Sequence, residues 1–151
     1  MAKAEAIDET DLRIINILLD NSRLSLRKIA RKAGVSVATV MNRINALEAE
    51  GIIRHYTAAI DYSKLGYDIF AIIDARVSHR QSPEVDKKIR NHPNVEIAIN
   101  MTGDFDLCMF TRFRTRQELD RFIRWLQTMK VIYRTNTKLV LNTVKDEVMR
   151  V

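Results

Sequence analysis

Six basic side chains without an intervening acid mark one segment of the chain as a surface for a polyanion. The six are Arg23, Arg27, Lys28, Arg31, Lys32 and Arg43. Their combined charge of +6 equals the formal net charge of the whole 151-residue chain. Duplex phosphates attract such a cluster, although charge runs in general are more often solvated helix faces. The helical pattern around this cluster favours the nucleic-acid interpretation.

Short polar residues at the start of the next predicted helix are suited to reading DNA. Asn42 and Arg43 can reach base edges or phosphates, and Ala38 permits close approach. Glu48 and Glu50 come only at the far end of that helix, which would point away from the DNA. The predicted DNA contacts are Arg27, Lys28, Ser36, Ala38, Thr39, Asn42 and Arg43.

A second group of residues has the chemistry to hold a free amino acid. The group is the run Thr102, Gly103, Asp104, Phe105 and Asp106. Asp104 or Asp106 can pair with an ammonium, while threonine hydroxyls and the backbone amides around Gly103 can bind a carboxylate. The competing interpretation is a hairpin whose Asp and Gly serve turn geometry, and spacing alone favours it.

Three short helices are predicted to position the basic cluster. The predicted N-caps are Asp8, Ser25 and Ser36, since their side chains accept first-turn N–H groups. Gly34 and Gly51 end the second and third helices, because the left-handed closing conformation is least costly for glycine. The predicted inward-facing residues are Leu12, Ile15, Leu18, Leu19, Leu26, Ile29, Ala30, Val40, Ile44 and Leu47.

The glycine-containing turn between the second and third helices is typical of a helix-turn-helix. Residues 52–57 then predict a short extended wing. We therefore expect a helix-turn-helix DNA-binding domain at 1–54, a linker or hinge strand at 55–67 and a second domain at 68–151.

The second domain alternates strands with helices. Apolar and alternating runs predict strands at 68–77, 95–101, 105–110 and 131–144. Ser82-Pro83 opens the first helix, and the spacing of Thr115 and Glu118 opens the second. The order strand-helix-strand-strand-helix-strand is that of ferredoxin-like domains. The predicted fold class is α+β, with an N-terminal winged helix-turn-helix and a C-terminal ferredoxin-like βαββαβ domain.

One face of this sheet should be left without helices, since both helices of the fold cover the other face. Apolar side chains are nevertheless predicted there, namely Phe70, Ile72, Cys108, Phe110, Val140 and Val144. A soluble monomer seldom exposes such a surface, so a second copy of the sheet is the simplest cover. A two-fold homodimer would also present two recognition helices to two DNA half-sites.

Composition argues against several other classes of protein. No apolar run approaches the roughly 18 residues of a membrane span, and the first residues lack a secretory signal, so we expect a cytoplasmic protein without membrane contact. His55, His79 and His92 have no metal-ligand spacing, and the four glycines form no phosphate-binding loop. Cys108 lies among apolar strand residues and is predicted to be packed. We expect no catalytic residue, metal or cofactor, and no enzyme.

Two alternative functions stay open at this point. An RNA-binding module of the RRM type has the same strand-helix order and stacks bases on sheet aromatics such as Phe105, Phe110 and Phe113. Asp104 and Asp106 would disfavour phosphates there, and the basic cluster lies in the other half of the chain. A small-molecule-binding enzyme subunit is the weaker alternative.

Several separate motifs occur in one order along the chain. They are Asp8-x-x-Asp11, Ile29-Ala30, Gly34-Val35-Ser36-x-x-Thr39-Val40-x-x-Arg43-Ile44-x-x-Leu47-Glu48-x-x-Gly51-Ile52-Ile53, Leu65-Gly66-Tyr67 and Thr102-Gly103-Asp104-Phe105-Asp106. In these motifs the chain resembles the leucine-responsive regulator/AsnC family (Lrp/AsnC), the feast/famine regulators, over essentially its whole length.

The resemblance implies a sequence-specific, double-stranded-DNA-binding transcription regulator. It implies homodimers that assemble into octamers or larger discs, with an amino acid or related metabolite bound between dimers to alter assembly or DNA affinity. It places the run 102–106 in the effector site. Its implied partners across the interface are Thr135, Asn136 and Thr137 on the last strand.

Overall fold

The structure is a computed structural model that describes residues 7–78 and 83–151. Its described residues form two compact units. The first unit contains the residues up to Ala59 together with Lys145–Val151, and the second is Ile60–Val144. His79 and the predicted cap Ser82 lie outside the described residues. None of the helices in the described ranges is long and apolar enough to cross a membrane.

Three helices build the first unit, and their bounds are α1 Glu9–Asp20, α2 Leu26–Ala33 and α3 Val37–Ala49. The three predicted N-caps are confirmed, since the side chains of Asp8, Ser25 and Ser36 each accept a backbone N–H of the first turn. Gly34 has a φ of +72° and closes α2 as predicted. The pair α2 and α3 therefore forms the expected helix-turn-helix.

The core of this unit differs from the predicted inward stripe at two helices. Its buried apolar residues are Ile14, Ile29, Ala30, Ala33, Val40, Ile44 and Leu47. In α1 the prediction for Leu12 was wrong, because Ile14 is fully buried and Leu12 is 36% exposed. In α2 the prediction for Leu26 was wrong, since that side chain is exposed. Apolar residues occur on several sides of α1, so the helical period alone fits more than one face.

The segment that follows α3 forms no strand in this structure. Residues 52–62, predicted as a wing and the start of a linker strand, pair with no described strand. A strand needs a partner for its backbone groups. The Tyr56 hydroxyl instead donates to the Glu48 carboxylate at 2.7 Å, which ties the segment to α3. A short 3-10 helix, Ser63–Leu65, then ends at Gly66.

The second unit is a four-stranded sheet with two helices. Its elements are β1 Ile69–Val77, α4 Pro83–Arg90, β2 Val95–Asn100, β3 Leu107–Phe113, α5 Arg116–Gln127 and β4 Ile132–Leu139. The strand order is β2-β3-β1-β4, and every neighbouring pair is antiparallel. This is the predicted ferredoxin-like arrangement.

The last strand is shorter than predicted. The expected strand at 131–144 was wrong at its C-terminal end, because β4 stops at Leu139. The Val140 N–H still donates to the Phe70 carbonyl at 2.9 Å, but β1 begins at Ile69 and offers no further pairing. Val144 is 94% exposed and outside the sheet, so it is not part of the predicted apolar face.

The two faces of the sheet have different surroundings. Ala71, Ile73 and Ala75 of β1 are fully buried in the core that includes Phe122 and Leu126 of α5. We call the opposite side of the sheet the open face. The strand register, together with the alternation of side chains along each strand, places on it Phe70, Ile72, Asp74, Arg76, Ile97, Ile99, Cys108, Phe110, Arg112, Arg134, Asn136 and Lys138. The predicted apolar face is therefore confirmed at Phe70, Ile72, Cys108 and Phe110, which lie on adjacent strands.

Candidate functional site

The predicted phosphate contacts of α2 lie on the surface. Arg27 and Lys28 are exposed, and so are Arg31 and Lys32 one turn later. In the described part of the chain these four cations make no ion pair. Their charge is therefore directed at solvent and is available to an anionic partner.

The outer face of α3 presents polar and apolar side chains together. Ala38 and Asn42 are exposed as predicted. Val37 and Met41 are 41% and 46% exposed, although neither was predicted from the sequence to belong to the DNA surface. Their helical spacing relative to Ala38 and Asn42 was the available signal. Such apolar groups can contact the methyl group of thymine in a major groove.

Two hydroxyls at the start of α3 are used by the cap. Ser36 Oγ accepts the Thr39 N–H at 3.0 Å and lies 2.8 Å from Thr39 Oγ1. Thr39 is half-buried, whereas Ser36 is exposed. The two side chains hold the first turn in place and remain at the edge of the surface formed by Ala38 and Asn42.

Arg43 differs from the other predicted DNA contacts because its guanidinium is paired with two carboxylates. Its Nη2 is 2.9 Å from Asp8 Oδ2, and its Nη1 is 3.2 Å from Asp11 Oδ2. Hydrogen bonds from the backbone N–H groups of Asp11 and Thr10, together with the charge of Arg43, hold the pKa of the Asp8 carboxyl below 3.8. The structure thus directs Arg43 towards α1.

The loop between β2 and β3 contains one carboxylate with a structural task. Asp106 Oδ2 accepts the Val77 N–H at 2.8 Å, and the Asp106 N–H donates to the Ala75 carbonyl at 3.1 Å. The Asp106 carbonyl in turn accepts the Met101 N–H at 2.9 Å. Asp106 therefore closes the loop against the end of β1.

Asp104 is the carboxylate that the loop presents outwards. Thr102, Gly103 and Asp104 are exposed, and Gly103 has a φ of +113°, which side-chain-bearing residues rarely adopt. Among the described residues Asp104 has no ion-pair partner. Of the two acids proposed from sequence, Asp104 is the one with an uncommitted carboxylate.

Arg134, which was not among the residues predicted from the sequence, lies beside this loop. The Arg134 guanidinium is 5.5 Å from the centre of the Phe105 ring, so β4 contacts the loop directly. Arg134 is exposed and lies opposite Arg76 in the strand register. Two adjacent guanidiniums at this end of the sheet attract a carboxylate. The only sequence signal was a basic residue next to the predicted Thr135.

The three predicted partners on β4 divide between the two faces of the sheet. Asn136 lies opposite Asp74 on the open face, two residues from Arg134. Thr135 and Thr137 lie opposite Ala75 and Ile73, whose side chains point to the helices. Asn136 is therefore the residue of the three that shares a face with Arg134.

The single cysteine of the chain, Cys108, is buried. Cys108 is 7% exposed, as the prediction of a packed side chain required. Burial and the neighbouring Asp74 carboxylate raise the pKa of its thiol, which keeps it protonated and unreactive. Within residues 7–78 and 83–151 no three His, Cys, Asp or Glu side chains are placed to hold a metal ion.

Comparisons with known proteins agree with these two units. The winged helix-turn-helix DNA-binding family matches residues 7–54, and the Lrp/AsnC ligand binding domain matches residues 70–149. An HTH-type transcriptional regulator of Pyrococcus furiosus is 35% identical over 141 residues, which cover 93% of this chain and 95% of that protein. The chain therefore belongs to the Lrp/AsnC family of transcriptional regulators, with a DNA-binding helix-turn-helix and a ligand-binding domain.

Solved structures show the same fold over almost the full length. LrpC of Bacillus subtilis superposes with a TM-score of 0.83 at 26% identity, covering 95% of this chain and 100% of LrpC. The Neisseria meningitidis regulator NMB0573, solved as a complex with L-Met, superposes with a TM-score of 0.85 at 21% identity and 94% coverage of both chains. The α+β architecture predicted from sequence is confirmed.

Proposed function

We propose that this regulator inserts the start of α3 into the major groove of duplex DNA while α2 holds the phosphates. Arg27 and Lys28 supply phosphate contacts, and Ala38, Thr39 and Asn42 meet base edges. The observation that carries this proposal is the exposed surface of α2 and α3, on which the four cations of α2 have no ion-pair partner among the described residues.

A free amino acid is the effector that the second unit fits best. Asp104 pairs with its ammonium, and Arg134 binds its carboxylate with the backbone amides near Gly103. The exposed Asp104 and the contact between Arg134 and Phe105 support this arrangement. The L-Met complex of NMB0573 adds support from a protein of the same fold. Thr102 and Asn136 border the same end of the sheet and complete the proposed site, with Thr135 and Thr137 nearby.

A homodimer explains the open face of the sheet. Phe70 and Phe110 have ring centres 6.3 Å apart on that face, and Ile97 and Ile99 beside them are 49% and 47% exposed. Burying such a surface against a second copy removes apolar area from water. The dimer is the unit that assembles into the larger discs expected from the family resemblance, and the effector acts on that assembly or on DNA affinity.

Two measurements test the proposal. Fluorescence anisotropy with a duplex that the protein selects from a random-sequence library should show tighter binding than with a shuffled duplex or with single-stranded RNA. A thermal-shift screen of the amino acids should show one or more that raise the Tm, because a ligand that binds only the folded state stabilises it. Tighter binding to RNA than to duplex DNA would refute the proposed DNA-binding function. A Tm that no amino acid changes would refute the proposed binding of an amino-acid effector.

A further inference from the structure

Arg43 joins the middle of α3 to the first turn of α1. Its two terminal nitrogens contact two different carboxylates, Asp8 Oδ2 at 2.9 Å and Asp11 Oδ2 at 3.2 Å. About a third of its side chain is exposed, and Asp11 is 4% exposed. This is a forked, partly buried contact between helices that are far apart in sequence.

The two carboxylates are themselves held rigidly. Asp8 Oδ1 accepts the N–H groups of Thr10 at 2.8 Å and Asp11 at 2.9 Å. Asp11 Oδ2 accepts the Asp8 N–H at 3.0 Å, in addition to the bond from Arg43. This capping box fixes both acids on the backbone of α1. A guanidinium bound to both therefore has one defined position.

That position affects the part of α3 that faces outwards. Arg43 lies one helical turn after Thr39 and directly follows the exposed Asn42. An α-helix is stiff over this distance, so fixing Arg43 on α1 restricts the rotation of α3 and the direction of Asn42. The adjacent negative charges of Asp8 and Asp11 also disfavour a phosphate at the same guanidinium.

We propose that Arg43 is a positioning residue, which acts through Asp11 to set the orientation of α3 for sequence-specific binding. This role replaces the base or phosphate contact that the sequence predicted for Arg43. The inference rests on the proposed DNA-binding function, because it concerns how α3 is presented to the groove.

A double-mutant cycle with Asp11→Asn, Arg43→Ala and the combined variant tests the proposal. Asn keeps an oxygen that can accept the Asp8 N–H, while one of the two carboxylate charges that hold Arg43 is removed. Each single variant should bind the library-selected duplex about tenfold more weakly, and the combined variant should bind no more weakly than either one. Affinity for a shuffled duplex and the salt dependence of binding should stay close to those of the wild type.

Glu9→Gln is the matched control for Asp11→Asn. Both variants remove one negative charge from the first turn of α1, and Glu9 makes no ion pair with any described residue. Loss of a negative charge by itself strengthens binding to a polyanion. Glu9→Gln should therefore leave the affinity unchanged or raise it, whereas Asp11→Asn should lower it. This opposite sign distinguishes positioning from general electrostatics.

A direct contact between Arg43 and DNA gives a different pattern and would overturn the proposal. Arg43→Ala would then weaken binding and Asp11→Asn would not, and a phosphate contact would reduce the salt slope by about one. All assays are run below the measured Tm of each variant, and Arg43→Lys replaces Arg43→Ala in the cycle if the alanine variant is unfolded. If the wild-type protein binds no duplex, both the proposed DNA-binding function and this inference are refuted. If the wild-type protein binds duplex DNA but the variants show the pattern expected for a direct contact, only the inference is refuted.

Discussion

The ammonium of Lys138 in β4 donates a hydrogen bond of 2.5 Å to the carboxylate of Asp74 in β1, on the open face of the sheet. Asp74 is only 3% exposed although α4 and α5 pack on the opposite face of the sheet. Burial alone raises the pKa of Asp74, but hydrogen bonds from Lys138 and from the Cys108 thiol, with the charge of Lys138, outweigh it. The pKa of Asp74 therefore lies below 3.8, and the carboxylate is charged at neutral pH.

Replacing Lys138 by Met should lower the Tm at neutral pH by several degrees, because it leaves the buried Asp74 charge without its partner. The folded-state pKa of Asp74 lies below its unfolded value. The stabilisation by the Asp74–Lys138 pair is therefore fully present at pH values above the unfolded-state pKa of Asp74, near 3.8. It is lost as the pH falls through the lower pKa of Asp74 in the folded state. Differential scanning fluorimetry against pH should show the two Tm curves converging below pH 3.8.

Lys130→Met is the control for this change, since Lys130 is exposed and pairs with no described acid. It should leave the Tm close to that of the wild type. Equal losses from the two substitutions, or a difference that does not depend on pH, would contradict the assigned role of the Asp74–Lys138 pair.

His92 should make the protein less stable as the pH falls below 6.5. Its ring packs 4.7 Å from Phe122 and 4.6 Å from Trp125 between ring centres, and its Nδ1 accepts the Asn94 N–H at 3.2 Å. Burial lowers the pKa of His92 below 6.5, so the unfolded chain binds the proton more readily. The contribution of His92 to the free energy of unfolding is therefore fully present above pH 6.5 and declines as the pH falls below that value.

His92→Phe keeps an aromatic ring in this cluster and removes the titration. The Tm of the wild type should therefore fall relative to that of His92→Phe as the pH is lowered from 6.5. Parallel Tm curves for the wild type and His92→Phe would refute the prediction.

Arg27→Ala should weaken DNA binding almost equally for selected and shuffled duplexes. A phosphate contact carries little sequence information, and its loss reduces the slope of log K against log salt by about one. Binding isotherms at several salt concentrations measure both quantities. Arg121→Ala, which removes an exposed cation from α5, is the control and should leave the slope unchanged. A selective loss for the selected duplex would instead assign Arg27 to base readout.

Asp104→Asn and Arg134→Gln should each abolish most of the thermal stabilisation by the amino acid found in the screen. Each substitution removes one charge from the site proposed to bind the zwitterionic amino acid. Binding should weaken because charge-assisted hydrogen bonds are stronger than hydrogen bonds between neutral groups. Isothermal titration calorimetry with the wild type and both variants measures the change in Kd. Asp120→Asn, on the exposed side of α5, is the control. Unchanged Kd values in both site variants would move the effector elsewhere.

Phe110→Glu should convert the proposed dimer into monomers. Placing a carboxylate among Phe70, Ile97 and Ile99 charges the surface that the second copy would cover. Sedimentation velocity should show the lower mass for Phe110→Glu but not for Val144→Glu, since Val144 is 94% exposed and outside the sheet. A dimer that survives Phe110→Glu would exclude the open face as its interface.

Local signals predicted the elements of this fold better than they predicted its contacts. Capping residues and glycines located the helices of the first unit, because these depend on backbone groups a few residues away. The buried face of α1 depends on which of its sides meets α2 and α3. Because Leu12 and Ile14 are both large apolar residues, residue type does not show which of them is buried. The prediction that Leu12 faces inward was wrong.

Long-range pairing accounts for the remaining differences. A register shift between Val95 and Ile97 turns Val95 towards the helices and Ile97 towards the open face, although alternation alone puts both on one side. The two carboxylates that bind Arg43 are far from it in sequence. Asp11 lies 32 positions before Arg43, and Asp8 lies 35 positions before it. A single sequence contains no signal for such a partner.

The segment Lys145–Val151 makes the ligand-binding domain an insertion, in sequence, within the helix-turn-helix unit. Arg150 forms an ion pair with Asp20, and the Asn16 side chain hydrogen-bonds both the N–H and the carbonyl of Val151. The polypeptide therefore leaves the helical unit once and returns to it. A single protease cut near residue 60 would leave both fragments anchored in the helical unit, so they should co-elute until Arg150 and Val151 are removed.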